Sequence, residues 1–136
     1  MSIRTFIFNT LTGYAPLNTL IGQRCYASES IMDAQQTKPF LVYRMGADPK
    51  EPIFDDPDIA LNPHRQFFQV WVHDNRPSYT QIDTICDLVQ AAFRSTPTSA
   101  SDKVIWVSFK DRSDDFDDVV LDTVFRYLRF EAAMSQ

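Results

Sequence analysis

Residues 65–93 read RQFFQVWVHDNRPSYTQIDTICDLVQAAF, and the reading of this stretch decides the fold. Phe67-Phe68-Gln69-Val70-Trp71-Val72 is aromatic or β-branched at every position but Gln69, which predicts a strand. A strand with one wet face alternates cleanly between apolar and polar side chains. This one does not, so both of its faces should be at least partly covered. The polar turn His73-Asp74-Asn75-Arg76-Pro77 follows, and Ser78 then stands three residues before Gln81. That spacing is a capping box, in which the Ser hydroxyl takes an orphan amide at a helix start while the Gln reaches back. Ile82, Ile85, Cys86, Val89, Ala92 and Phe93 recur at helical spacing, with Asp83, Thr84, Asp87 and Gln90 on the other face. The helix is expected to stop in Ser95-Thr96-Pro97-Thr98, because Pro97 cannot continue the hydrogen-bond ladder. The unit predicts a central strand with a helix folded back across the sheet.

On the N-terminal side, Ser2 caps a predicted helix carrying Ile3, Phe6, Ile7, Phe8 and Leu11, with Gly13 where a C-cap needs positive φ. Residues 15–22 predict one further helical turn, opened by Pro16 and stopped by Gly22. Arg24-Cys25-Tyr26-Ala27 predicts a short strand. Residues 28–38 form a polar loop from which Ile31 and Met32 can dock on the core, and Pro39 opens a second strand at residues 40–45. Residues 47–64 hold four of the chain's eight prolines without periodicity. A loop of that length in a compact domain is characteristically functional or disordered.

On the C-terminal side, residues 103–109 (KVIWVSF) predict a strand with Ile105, Val107 and Phe109 on one face and Val104 and Trp106 on the other. Residues 111–118 are expected to form an acidic hairpin turn, and residues 119–130 (VVLDTVFRYLRF) a long antiparallel partner strand. Its buried face is open on sequence alone, since Leu121, Phe125 and Tyr127 compete with Val124, Leu128 and Phe130. The tail at 132–136 is expected to fray. The order is α-β-β-β-α-β-β: an α+β fold with an antiparallel or mixed sheet of about five strands and two main helices.

The chain's 136 residues predict a single domain spanning 1–136. No apolar run approaches the roughly 18 residues of a membrane span, and no signal-peptide core is present, so neither a membrane partner nor a cleaved export signal is expected. Cys25 and Cys86 are expected to be buried and reduced. The net charge of −5 is local. Residues 47–64 carry Asp48, Glu51, Asp55, Asp56 and Asp58 against Lys50; residues 111–118 carry Asp111, Asp114, Asp115, Asp117 and Asp118 against Arg112. With those set aside, eight acids and eleven bases remain, which is not the clustered basic stripe of a dedicated nucleic-acid binder.

No chemistry-bearing motif emerges. His64 and His73 are the only histidines, and Asp74 beside His73 points to the opposite side of a strand. No Gly-x-Ser-x-Gly elbow is present. The acidic run lacks the alternating acids, the Gly and the closing Glu of an EF-hand, so a solvated turn is the simpler reading. Three glycines make no phosphate-cradling loop, and Trp71 and Trp106 have no basic groove beside them. Neither catalysis nor a metal or cofactor is expected.

Residues 11–43 carry a resemblance. A helix, then Pro-Leu-Asn-Thr-Leu-Ile-Gly-Gln-Arg-Cys-Tyr at 16–26 and Lys-Pro-Phe-Leu-Val-Tyr at 38–43, resembles the tail completion (tail terminator) proteins of long-tailed phages. The family's pattern runs helix, Leu-Thr-x-Leu-[Val/Ile]-Gly-x-Arg-[Ile/Val]-Tyr, polar loop, Pro-[Tyr/Phe]-[Val/Ile]-Val-[Tyr/Ile]. A strand like Phe68-Gln69-Val70-Trp71-Val72 and an amphipathic helix like 78–94 then follow. This chain departs from it at Cys25, where an aliphatic residue is usual, and in its longer 47–64 loop. The resemblance implies a non-enzymatic virion protein at the head-proximal end of a tail, assembled in the host cytoplasm. It implies a hexameric ring that caps the tail tube, ends tube polymerisation and meets the head connector. The implied partners are further copies of itself, the tube protein, the connector protein and genomic DNA passing without specific binding. Within that picture Asp111, Asp114, Asp115, Asp117 and Asp118 are candidates for the bore wall. Lys50, Ile53, Phe54, Asp55 and Asp56 are candidates for a subunit or tube contact. The alternatives are a head–tail connector or neck protein, or a small cytosolic ligand-binding or enzymatic α+β domain.

Overall fold

The computed structural model describes residues 3–27, 38–46, 64–75, 79–95, 104–120 and 122–134. The elements are α1 (Ile3–Gly13), α2 (Ala15–Ile21), β1 (Cys25–Ala27), β2 (Phe40–Met45), β3 (His64–Asn75), α3 (Thr80–Ser95), β4 (Val104–Arg112), β5 (Phe116–Asp118) and β6 (Thr123–Met134). The strands form one sheet in the order β1-β2-β3-β6-β4, with β5 also pairing β6. β1 runs parallel to β2 and every other pairing is antiparallel, so the α+β fold has a mixed sheet.

β3 is the sheet's centre, and it is longer than its apolar core suggests. It pairs β6 at twelve consecutive positions, from His64 opposite Met134 to Asn75 opposite Thr123. Phe68, Val70 and Val72 share one face with Leu128, Phe130, Leu41 and Val104, and there they meet α1, α2 and α3. Phe130 stands at the middle of that core, with ring centroids 5.1 Å from Phe68, 4.8 Å from Phe93 and 5.7 Å from Phe109. The stripe Ile82, Ile85, Cys86, Val89, Ala92 and Phe93 of α3 is buried as its spacing requires. Ser78 and Pro97, the expected cap and stop, lie outside the described residues, as do Ile31 and Met32. The second face of the sheet is not bare: Phe40, Val42 and His73 are buried on it. Cys25 and Cys86 are free thiols, and burial pushes their pKa values up to about 12 and about 11.

Several local expectations are corrected. Gly13 does not take positive φ; the cap with positive φ is Gly22 (φ +59°), whose N–H donates to Asn18 O at 2.7 Å. The chain leaves α1 through the extended Tyr14, and Pro16 then pre-sets the first turn of α2. The faces of β4 are not those of strict alternation. A register shift between Val104 and Trp106 inserts one extra residue, so Val104, Val107 and Phe109 share the helix side while Ile105 and Trp106 stay exposed. The face of β6 is settled in favour of Val124, Leu128 and Phe130. Residues 132–134 are not frayed: Ala132, Ala133 and Met134 are buried strand residues paired on both sides.

The largest difference is the acidic segment. Asp111 and Arg112 still belong to β4, and Phe116-Asp117-Asp118 form β5 against Thr123–Phe125 of β6. The chain therefore reverses after Asp118, between β5 and β6, with Asp122 at φ +53°, a conformation that Asp tolerates better than most residues. Val119 and Val120, expected in a strand, lie in this turn. Aspartates are depleted from strands, which is why the sequence pointed to a turn at 111–118, ahead of the actual reversal. Phe116, opposite Phe125, stacks on both Phe125 and Tyr127 at 5.3 and 6.1 Å, and holds the segment on the sheet instead.

Candidate assembly surface

Alternation along β3 and β6 sends every second side chain away from the helices. On that face aromatic rings form a continuous layer. Tyr26 meets Phe40 at 6.0 Å, Phe40 stacks on His73 at 4.9 Å, His73 on Phe125 at 5.0 Å, and Phe125 on Trp71 at 5.1 Å. Trp71 continues to Tyr127, and Arg44 caps the Trp71 ring at 5.6 Å as a cation–π contact.

His73 sits inside this layer with its Nδ1 2.8 Å from Thr123 Oγ1. Burial pushes its pKa down to about 4, against the opposing pull of the Asp118 charge. An imidazole beside a hydroxyl invites a nucleophile–base reading, but Thr123 is fully buried and reaches no dissolved substrate. The pair satisfies two polar groups inside an apolar layer. Asp74 points to the helix side and accepts the Asn75 N–H at 2.7 Å. His64, the last residue of the expected long loop, opens β3.

Next to the aromatic layer lies a charged one. Glu131, buried on the same face, holds Lys110 Nζ at 2.7 Å and Arg65 Nε at 3.1 Å. The Arg65 Nε–H makes no hydrogen bond, so that contact is Coulombic. Asp111 and Arg129 form a two-pronged pair, one prong 2.6 Å between Arg129 Nε and Asp111 Oδ1. The guanidinium's hydrogen bond holds the Asp111 carboxyl below the usual carboxylate range.

The acidic segment is therefore not an uncomplemented run. Asp111 is held by Arg129, and Asp115 lies 3.5 Å from Arg126. Asp117 and Asp118 are engaged as well. Arg126 is the staple of the region. Its Nε and Nη2 donate to Ser113 O at 3.0 and 2.8 Å, and its Nη1 donates to Asp83 of α3 at 2.7 Å. Arg112 reaches Asp87 of the same helix at 2.7 Å, and the Tyr79 hydroxyl donates to Phe116 O at 3.0 Å. The β4–β5 link is thus tied to both sheet and helix, and what projects beyond it is the tip. Val119 and Val120 are 79% and 75% exposed.

Two clefts open near the sheet. One of about 340 Å³ is lined by Gly46, Phe67, Phe68, Gln69, Arg129 and Phe130. One of about 140 Å³, between α3 and the edge strand β4, is lined by Gln90, Phe93, Arg94, Val107, Phe109 and Phe130. Among the described residues no three His, Cys, Asp or Glu side chains group to hold a metal, and no helix is long and apolar enough to cross a membrane. Lys50, Ile53, Phe54, Asp55 and Asp56 lie outside the described residues. The tip and the α3–β4 cleft were invisible to sequence reasoning; the one signal was a Val-Val pair directly after an acidic run.

No protein-family model and no curated protein matches the chain. Among solved structures, this chain is similar to a chain of the virion of a native gene transfer agent particle. The TM-score is 0.70 at 14% identity, over 96% of this chain and 92% of that one. At that identity the likeness shows a shared fold.

Proposed function

We propose that this chain is a non-enzymatic structural protein of a phage-like virion, a single domain over residues 1–136. Within the virion we assign it to the tail terminator: a ring that caps the tail tube, ends its polymerisation and offers a surface to the head connector. The observation that carries the reading is the likeness to a gene transfer agent virion chain, which covers almost all of both chains. The residues of the family resemblance support it from the sequence side. They fall together on α2, β1 and β2, where Leu17, Ile21, Cys25 and Leu41 enter the core.

Ring closure uses a heterologous contact, one patch meeting a different one until a rotation closes. Each contact should bury on the order of 800 Å² per partner. The 47–64 loop, through Lys50, Ile53, Phe54, Asp55 and Asp56, supplies one contact to a neighbour or to the tube. For the acidic segment two assignments fit a ring: a bore wall that gives DNA phosphates no counter-charge, or part of a subunit contact. The pairing of Asp111 and Asp115 with arginines weakens the first, because it compensates part of the segment's charge.

The test is mass measurement of the protein alone and bound to purified tail-tube ends. Six copies per tube end support the terminator. Decoration along the tube's length, a dimer, or no binding to tube ends refutes it, and association with the head vertex alone points to a connector or neck protein instead.

A further inference from the structure

Among the described residues, two apolar surface features lie at opposite ends of β6: the Val119-Val120 tip and the α3–β4 cleft. Phe116, which is also exposed, is held to the sheet by its stacking on Phe125. The two valines are held by nothing comparable, and adjacent β-branched residues at a turn apex are the opposite of what turn chemistry selects. The cleft is the complementary shape. Its floor is Phe93, Val107, Phe109 and Phe130, and its rim carries Gln90 and Arg94 but no acid. At about 140 Å³ it admits one or two aliphatic side chains and falls short of the roughly 300–1,000 Å³ of small-molecule sites. Among the described residues β4 is the last strand of the sheet, so the cleft opens outward past its edge.

We propose that the β5–β6 hairpin is a finger that seats Val119 and Val120 in the α3–β4 cleft of a second copy of this chain. The inference rests on the ring reading and names one of its contacts. Three observations select this occupant. First, the finger cannot reach its own cleft. β5 is fixed in register against Thr123–Phe125, while the cleft lies at Phe130, seven residues along β6 and so about 23 Å away. Second, the charges match. Asp117 and Asp118 of β5, engaged within their own chain, directly precede the two valines and keep the finger acidic, and Arg94 on the rim has no ion-pair partner among the described residues. Third, finger and cleft are different patches of one chain, so their contact is heterologous, the type that closes rings. Two valines are an anchor, not a whole interface. Such buried apolar anchors carry a large share of binding when surrounding contacts exclude water.

The experiment uses the full chain in two single variants, Val120→Cys and Gln90→Cys, with wild-type assembly followed in parallel by mass measurement. Cys25 and Cys86 are buried, so the introduced thiols are the ones that an added disulfide oxidant reaches. Mixed under oxidation, the two variants should give a disulfide dimer, while Gln90→Cys alone should give none. The chain carrying both changes should give a ladder of linked subunits. Val119→Asp with Val120→Asp should weaken self-association about 100-fold with unchanged thermal stability, since both positions are solvent-facing. A wild-type ring that forms normally while the mixed cysteine variants yield no crosslink, or while the chain carrying both aspartates still assembles, overturns the finger and leaves the ring reading standing. Val120→Cys dimerising by itself as fast as in the mixture shows a tip-to-tip contact and also overturns it. A wild type that stays monomeric both free and on tube ends overturns the ring reading and the finger with it. A finger seated in a neighbour is not a wall of the bore, so the crosslink also decides between the two assignments of the acidic segment.

Discussion

Truncating Phe130 to alanine tests the packing on which the rest of the molecule depends. The ring is 1% exposed and lies within 6 Å of three other rings: Phe68, nearly parallel at 13°, Phe93 and Phe109. Phe→Ala changes in cores cost about 3–5 kcal/mol, part from lost transfer energy and part from the void left behind. Phe130 also lines the outward-opening α3–β4 cleft, so water can enter the vacated space and reduce the void part. That places the cost at about 3–4 kcal/mol, a large share of the roughly 5–15 kcal/mol that hold a small domain together. For a chain of this size each kcal/mol moves the melting midpoint by roughly 3–5 °C, so Phe130→Ala should melt about 10–20 °C below wild type. Phe116→Ala is the matched control. It also removes a stacked ring, 5.3 Å from Phe125, but one that is 42% exposed, and should cost under about 1 kcal/mol. The assay is thermal and urea unfolding followed by circular dichroism. A double-mutant cycle with Phe68→Ala should return a coupling of about 0.5–1.5 kcal/mol. Equal destabilisation by Phe130→Ala and Phe116→Ala, or a loss below about 1.5 kcal/mol for Phe130→Ala, would refute the assignment of the core to the helix side.

Val89 is fully buried on α3, and Val89→Asp should leave no cooperative melt, because an unpaired carboxylate there costs several kcal/mol. Thr84→Lys on the exposed face should melt like wild type. Asp87→Lys should lose up to about 1 kcal/mol through its contact with Arg112, discounted because Asp87 is largely exposed. His73 has a folded pKa of about 4 against about 6.5 unfolded, so the unfolded chain binds the extra proton between those values. Its contribution is fully present above pH 6.5 and lost as pH falls toward 4, on the order of 3 kcal/mol. His73→Phe, measured by urea unfolding from pH 7 to pH 4, should flatten that slope; an unchanged slope would place the titration elsewhere. Gly22→Ala meets only an ordinary 3.6 Å contact with Arg24, so its loss, roughly 1–3 kcal/mol by thermal melting, comes from backbone conformation at φ +59°, ψ −127°.

The legible parts of the fold were those written in one local period. The stripe of α3 is a single face repeated over four turns, so its six apolar positions are identifiable from spacing. β6 resisted because both of its faces are apolar: Val124, Leu128 and Phe130 enter the core, while Phe125 and Tyr127 build the aromatic layer opposite. Only the partner strand breaks that tie. The bulge at Val104 and Trp106 exchanged the faces of β4 by adding one residue that no composition announces. The acidic segment misled for a different reason. Its charge is local, but the residues that neutralise it, Arg126 and Arg129, lie 11 and 18 residues further on, and Phe116 outweighs four neighbouring aspartates by stacking across the sheet. The candidate finger and cleft were illegible because a cleft is a relation between α3 and β4, not a property of either.

The twelve-position ladder between β3 and β6 also sets a schedule for folding. β3 ends at Asn75 and its partner is complete only at Met134, 59 residues later, with α3, β4 and β5 made in between. At roughly 5–20 residues per second on a ribosome, that interval is about 3–12 s. During those seconds β3 has at most β2 beside it, and the edge reserved for β6 presents unpaired amides next to Phe68, Val70 and Val72. Long-range strand pairing is slow to form once its partner arrives, because the intervening loop must close before any contact rewards it. The strand that organises the finished sheet is therefore the chain's main aggregation liability while it is being made. Yield of soluble protein should respond more to growth temperature and chaperone supply than to any change on the finished surface.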